Sequence, residues 1–174
     1  MQTLLKDIPK KELLNPPSIF FRRLTLDDLK DLLTIERELY PQPWTMENFE
    51  EEISRAFSLS FGVFSLDNTL LGFIISWILG DEVHILNLAV RQKYQRQGLG
   101  TKLLQILIQL SRKKDCLTIY LDVNEFNSVA RDLYRKIGFR EEGYRPKYYS
   151  STEGAILMTL TLNNSKSSPK EKIY

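Results

Sequence analysis

The segment of this sequence best suited to chemistry is Gln95-Arg96-Gln97-Gly98-Leu99-Gly100, followed at once by Thr101, Lys102 and a leucine-rich run. Two glycines, one residue apart, open an apolar stretch with helical spacing. The N–H groups at such a helix start lack partners within the helix, and glycine lets an anion approach them without a Cβ in the way. Arg96 adds positive charge, and Arg91, Lys93 and Lys102 stand nearby in sequence. A phosphate group is the ligand this arrangement suits. The two common phosphate motifs do not fit: a Walker loop needs G-x-x-x-x-G-K-[ST], and a dinucleotide fingerprint needs a small residue where Leu103 stands. Taken alone, Gly98 and Gly100 are equally compatible with a tight strand-to-helix turn that merely relieves strain.

Such a turn must be held between a strand and a helix, and the flanking sequence supplies both. VHILNLAV is rich in branched residues and strand-like. Leu99, Leu103, Ile106, Leu107 and Leu110 share one face of a helix from about Gly98 to Lys113. Upstream, IFFRRL reads as a strand, Thr25 caps a helix carrying Leu29, Leu32 and Leu33, and Thr45 caps a shorter one. SLSFGVFSL and LLGFIISWIL are strands joined through Asp67-Asn68-Thr69, a hairpin turn signal. Downstream come the strand CLTIYLDV, a helix capped by Asn127 and stopped by Gly138, and two closing strands around FREEGY and AILMTLTL. The order β-α-α-β-β-β-α-β-α-β-β predicts an α/β (α+β) single domain with a central mixed sheet of about seven strands and helices on both faces. Residues 1–17 read as an N-terminal extension, 18–162 as the domain, and 163–174 as a flexible tail.

Composition narrows the classes of function. A chain of 174 residues with 43% hydrophobic and 26% charged content suits one globular domain. A net charge of +2 is too mild to argue for nucleic acid or a membrane surface. The basic residues Arg131, Arg135 and Lys136 read as a solvated helix face. One cysteine, Cys116, and one histidine, His84, leave neither a disulfide framework nor the ligands of a zinc site. With no signal-like N-terminus and no bilayer-length apolar stretch, the expectation is a cytoplasmic protein that needs no metal.

The run LNLAVRQKYQRQGLGTKLL closely resembles the cofactor-binding core of the GNAT superfamily of acetyltransferases, whose signature is [QR]-x-x-G-x-[GA]. Gln95, Gly98 and Gly100 fill its fixed positions. Pro43-Trp44, the run L-x-V-x-x-x-N-x-x-A-x-x-L-Y-x-x-x-G-F and the pair Tyr148-Tyr149 are similar to the RimI type, the ribosomal-protein-alanine N-acetyltransferases. The resemblance spans roughly residues 20 to 162 and implies acetyl-CoA as co-substrate. It implies a splayed strand pair in which the main chain of Leu88, Ala89 and Val90 pairs with the pantetheine arm. Arg96, Gln97, Gly98, Leu99, Gly100 and Thr101 would hold the pyrophosphate, and Asn127 would bond the coenzyme arm or serve as a plain helix cap.

The same resemblance implies catalytic roles. Tyr134 matches the family's general acid, a phenol that stays protonated at neutral pH. Asp122 stands where the RimI type carries a glutamate base; one methylene shorter, it would work directly or through a water. His84, five residues before Ala89, stands where other superfamily members place their base, and its unperturbed pKa of about 6.5 suits proton relay. Asp122 ranks first and His84 second, with Glu82 a poorer third. Trp44, the turn near Asp67 and the Tyr144–Tyr149 loop would build the acceptor groove, with Tyr148 and Tyr149 bracketing a peptide. The expected acceptor is the α-amine of an alanine-initiated ribosomal small-subunit protein. A small-molecule amine drawn to Asp81, Glu82, Glu141 and Glu142 is the alternative enzyme, and a non-catalytic acyl-CoA-binding regulator is the other class.

Overall fold

The computed structural model describes residues 18–162. The segments read as an N-terminal extension and a C-terminal tail lie outside the described residues. The elements are β1 (Ile19–Arg23), α1 (Leu29–Leu39), α2 (Met46–Ser54), β2 (Phe61–Ser65), β3 (Leu70–Leu79), β4 (Glu82–Val90), α3 (Leu99–Lys113), β5 (Thr118–Asn124), α4 (Ser128–Ile137), β6 (Arg140–Arg145) and β7 (Ala155–Thr161). Their order is the one expected from the sequence.

The strands form a single seven-stranded sheet in the order β1-β2-β3-β4-β5-β7-β6. Only β4 and β5 run parallel; every other neighbouring pair is antiparallel. The crossover from β4 to β5 is α3, as a parallel neighbour requires. Two cores cover the two faces. Leu103, Leu107 and Tyr134 of α3 and α4 pack on one side with Val83, Ile119 and Leu121. Leu32, Ile35 and Phe49 of α1 and α2 pack on the other with Phe64, Phe73 and Ile75.

The feature that makes a site is a break in β4. Its pairing with β3 skips Leu86, a bulge between the pairs Ser76–Ile85 and Ile75–Asn87. Its pairing with β5 stops at the same place, with Ile85 opposite Leu121. A bulge bends its strand and increases local twist, so β4 leaves β5 from Leu86 onward. Facing also shifts there: Val83 and Ile85 pack into the α3 core, Leu86 and Ala89 against the α1–α2 core. The side chain of Asn87 points to α1, where Nδ2 donates to Glu36 Oε2 over 3.0 Å.

Helix ends fix the rest. The Thr25 N–H donates to Asp28 Oδ2 (2.8 Å), and Thr45 Oγ1 accepts the Asn48 N–H (3.3 Å). The first bond closes the short 3-10 turn Leu26–Asp28 that leads into α1, and the second satisfies a donor that α2 would otherwise leave unpaired. Helix α4 closes on Gly138, whose φ of +114° only glycine adopts without strain.

Candidate active site

Two cavities occupy the opening between β4 and β5. One, about 480 Å³, is walled by Leu88–Val90, the turn after β4, and Val129 and Leu133 of α4. The other, about 380 Å³, is walled by Glu36 and Trp44 on the α1–α2 side, Leu121–Asn124 of β5, and Tyr149 and Glu153. They meet at Tyr40, Leu88, Asn127, Ala130 and Tyr134, which line both.

The larger cavity ends on the glycine turn. Gly98 has φ +81°, and Arg96 is held at φ +58°, an unusual conformation for a residue with a side chain. Lys102 makes the first helical bond back to Gly98 (3.0 Å), so the N–H groups of Leu99, Gly100 and Thr101 form the open start of the helix. A Cβ on Gly100 would come within 3.2 Å of Leu133, so glycine here also lets α3 and α4 pack closely. Gln95, Arg96, Gly98, Leu99, Gly100 and Thr101 line this cavity, but Gln97 does not; its amide bonds the Lys93 carbonyl (3.2 Å). Gln95 Nε2 donates to Val90 O over 3.0 Å and holds the turn against the strand. Asn127 caps α4, its Oδ1 accepting the Ala130 N–H at 3.0 Å.

The smaller cavity holds the titratable groups. Asp122 enters from β5 on the face opposite the α3 core. Its Oδ2 pairs with Arg145 Nη1 at 3.1 Å, and its buried Oδ1 has no hydrogen-bond partner among the described residues. Tyr134 enters from α4 and is only 7% exposed. Burial, then the charges of Tyr40 and Tyr149, holds its phenol well above the ordinary value, so it is a proton carrier at neutral pH. Burial, then the charges of Asp122 and Tyr148, pushes Tyr149 up to about 12. Its hydroxyl donates to the main-chain carbonyl of Asp122 at 3.1 Å.

His84 lies apart from the other two. It stacks on Tyr120 (5.3 Å between centroids) and pairs with Glu82 (3.1 Å). It lines a third cavity, about 270 Å³, that shares Asp122 with the 380 Å³ cavity. Trp44 packs on Phe49 and lines the smaller, 380 Å³ cavity. Tyr148 is half exposed against Tyr149 and lines none of the three cavities. The Asp67 turn, expected in the groove, also lines none; its carboxylate is used by Ser65 and Thr69 within the turn. Glu141 is drawn to Arg131 and Arg135, so these charges pair among themselves.

Sequence reasoning missed Glu36, Tyr40 and Arg145. Glu36 is 2% exposed, accepts from the Trp44 N–H (3.3 Å) and Asn87, and lines the 380 Å³ cavity. Burial raises its pKa, partly offset by those two hydrogen bonds. A signal existed: Glu36 is a charge on the buried stripe of α1, between Leu32, Leu33 and Leu39. Nothing local marked Arg145, which reaches Asp122 across the intervening strand β7.

Comparison with known proteins decides what this site belongs to. The model of the acetyltransferase (GNAT) family matches residues 29–139. The ribosomal protein bS18-alanine N-acetyltransferase of Escherichia coli (strain K12) is 34% identical over 143 residues, covering 80% of this chain and 95% of that relative. The chain belongs to the GNAT family of acetyltransferases. The crystal structure of the E. coli ribosomal-protein-S18-alanine N-acetyltransferase superposes with TM-score 0.79 at 31% identity, covering 90% of this chain and 99% of that one. The PaiA N-acetyltransferase of Thermoplasma acidophilum, solved in complex with coenzyme A, gives TM-score 0.72 at 27% identity, with 83% and 99% covered.

The acetyltransferase takes acetyl-CoA as its co-substrate. Its own residues fit that molecule: the left-handed Arg96 and Gly98 turn the main chain at the start of α3, and the splayed β4 leaves a trough beside Leu88–Val90. Among the described residues no group of His, Cys, Asp and Glu could hold a metal ion, and no helix is long and apolar enough to cross a membrane.

Proposed function

We propose that this acetyltransferase transfers the acetyl group of acetyl-CoA to the α-amine of a protein N-terminus, with an alanine-initiated small-subunit ribosomal protein as acceptor. The observation that carries this reading is that Asp122 and Tyr134 line one cavity from different walls, β5 and α4. They do so in a chain that matches the E. coli bS18-alanine enzyme over 95% of its length.

In this reading the main chain of Leu88, Ala89 and Val90 pairs with the pantetheine amides, which need partners once buried. The open start of α3, with Arg96, takes the pyrophosphate. Asn127 caps α4 through Oδ1 and offers its NH₂ group to the coenzyme arm. The acceptor enters past Trp44 and Tyr149. Asp122 takes the proton of its ammonium, directly or through one water, because the protonated amine has no lone pair. As the nitrogen–carbon bond forms and the carbon–sulfur bond breaks, Tyr134 gives its proton to the departing sulfur, and the second proton lost by the amine nitrogen restores the phenol. The net change is one amide, one thiol and one proton released.

An α-amine suits this modest machinery, since its pKa is about 8 against about 10.4 for lysine. Of the four acids that would make a groove for small amines, only Glu82 lines one of the three cavities. The assay compares transfer to an alanine-initiated peptide, an N-blocked lysine peptide and a pool of polyamines and aminoglycosides. Transfer to the first alone is expected. Transfer only to small amines contradicts the acceptor assignment, and coenzyme binding with no transfer contradicts the enzymatic one.

A further inference from the structure

Arg145 holds the carboxylate that the proposed transfer needs. It lies on β6, at the outer edge of the sheet and two strands from β5, and its guanidinium pairs with the Asp122 carboxylate at 3.1 Å. Its side chain is 53% exposed, whereas that of Asp122 is 21% exposed. The carboxylate is thus the more enclosed partner and the guanidinium the more exposed one. Arg145 also lies over the Tyr148 ring, 5.6 Å from its centroid, and Tyr148 is half exposed. The guanidinium therefore touches an aromatic face while it pairs with Asp122. Asp122 lines both the acceptor cavity and the 270 Å³ cavity that Arg145 walls, so the ion pair stands at the join between them.

We infer that Arg145 is a placeholder for the acceptor's ammonium. It neutralises Asp122 while the acceptor cavity is empty, and it is displaced outward into solvent when the α-ammonium arrives. This rests on the assignment of Asp122 as base. Two arguments support exchange rather than permanent pairing. The Asp122 Oδ1 is buried, which leaves Oδ2, the oxygen that Arg145 holds, as the one an arriving ammonium reaches. And a pair whose cation is half in water contributes little, so a better-placed ammonium can replace it. The consequence is selectivity by charge: an acceptor arriving without a positive charge gains nothing by displacing Arg145. Arg145 is then a specificity-determining residue for the amine, acting through Asp122.

The test measures binding of a short alanine-initiated peptide to the full-length enzyme with coenzyme A present, by titration calorimetry at low salt, alongside steady-state kinetics. Arg145→Ala and Arg145→Gln should tighten the peptide by roughly three- to fivefold, the size an exposed pair allows. The acceptor KM should fall in step and the acetyl-CoA KM should stay put. Arg145→Lys, which keeps a cation, should stay near wild type. In an Asp122→Asn background Arg145→Ala should change nothing, since the competition has lost its object. Peptide affinity that is unchanged or weaker in both Arg145→Ala and Arg145→Gln overturns the inference. The base assignment is read separately, from kcat of Asp122→Asn with Arg145 intact. A wild-type enzyme that does not bind the peptide overturns the acceptor reading and this inference with it.

Discussion

The Tyr149 hydroxyl donates to the main-chain carbonyl of Asp122 across 3.1 Å, joining the β6–β7 loop to β5 at the residue assigned as base. The bond fixes one wall of the acceptor cavity without using the Asp122 carboxylate. Removing it should loosen the wall and leave the chemistry in place. In Tyr149→Phe the acceptor KM is expected to rise roughly fivefold, about the worth of one neutral hydrogen bond, with kcat within a factor of two of wild type. A large loss of kcat instead would give the phenol a part in the transfer.

Tyr134 as general acid carries a sharper expectation. Tyr134→Phe should lower kcat by roughly 10²- to 10⁴-fold while acetyl-CoA still binds. Because burial holds the phenol above its ordinary value, wild-type kcat should show no loss assignable to this group below about pH 10. Pre-steady-state rates across that range check both points.

The same burial has a cost in stability. Tyr40, Tyr134 and Tyr149 all have folded-state pKa values raised, first by burial. Their unfolded value is about 10, and a raised folded value means the stabilisation is complete below the unfolded pKa and lost as pH rises through the folded one. Urea midpoints should therefore fall from about pH 10 upward, reaching about pH 12 for Tyr149. Tyr149→Phe should flatten part of that fall.

Glu36 behaves in the same direction at acid pH. Its folded pKa is raised by burial, so its contribution is complete below the unfolded value of about 4.3 and declines as pH rises through the folded one. Glu36→Gln is expected to reduce the decline in stability between pH 4 and 7. It should also weaken acceptor binding by about 1 kcal/mol, since the carboxylate lines that cavity. Thermal midpoints and acceptor KM read the two effects separately.

Phe49 tests the architecture that supports Trp44. It is fully buried, with Trp44 at 5.3 Å and Phe73 at 5.7 Å between ring centroids. Phe49→Ala should cost about 3–5 kcal/mol of unfolding free energy through the cavity it leaves. Denaturant titration measures it, and a loss under 1 kcal/mol would show that α2 contributes little to the core.

Much of this could be read before any coordinates. Element order was legible because helical and strand periodicities alternate cleanly and the caps Thr45, Asn127 and Gly138 punctuate them. The cofactor turn was legible because Gly98 and Gly100 carry a local conformational demand. What failed was long-range. The family resemblance put the Asp67 turn in the groove, yet its polar atoms satisfy one another. Tyr148 and Tyr149 are adjacent and alternate in facing, so only Tyr149 lines the acceptor cavity. The bulge at Leu86, which opens the sheet, leaves no mark in VHILNLAV, because it depends on pairing with β3 and β5. Arg145 is placed by the sheet order β5-β7-β6, which local pattern does not encode.

The central claim is that Asp122 deprotonates an α-ammonium whose acetyl donor is protonated by Tyr134, and the pH dependence of Asp122→Asn tests it most directly. Single-turnover rates on an alanine-initiated peptide would be followed between pH 6 and 9, beside wild type. If Asp122 is the base, the variant is slow at pH 6, gains about tenfold per pH unit, and levels off near the amine's own pKa of about 8, where neutral amine no longer needs help. A variant as fast as wild type at pH 6, or slower by one constant factor at every pH, would contradict that role.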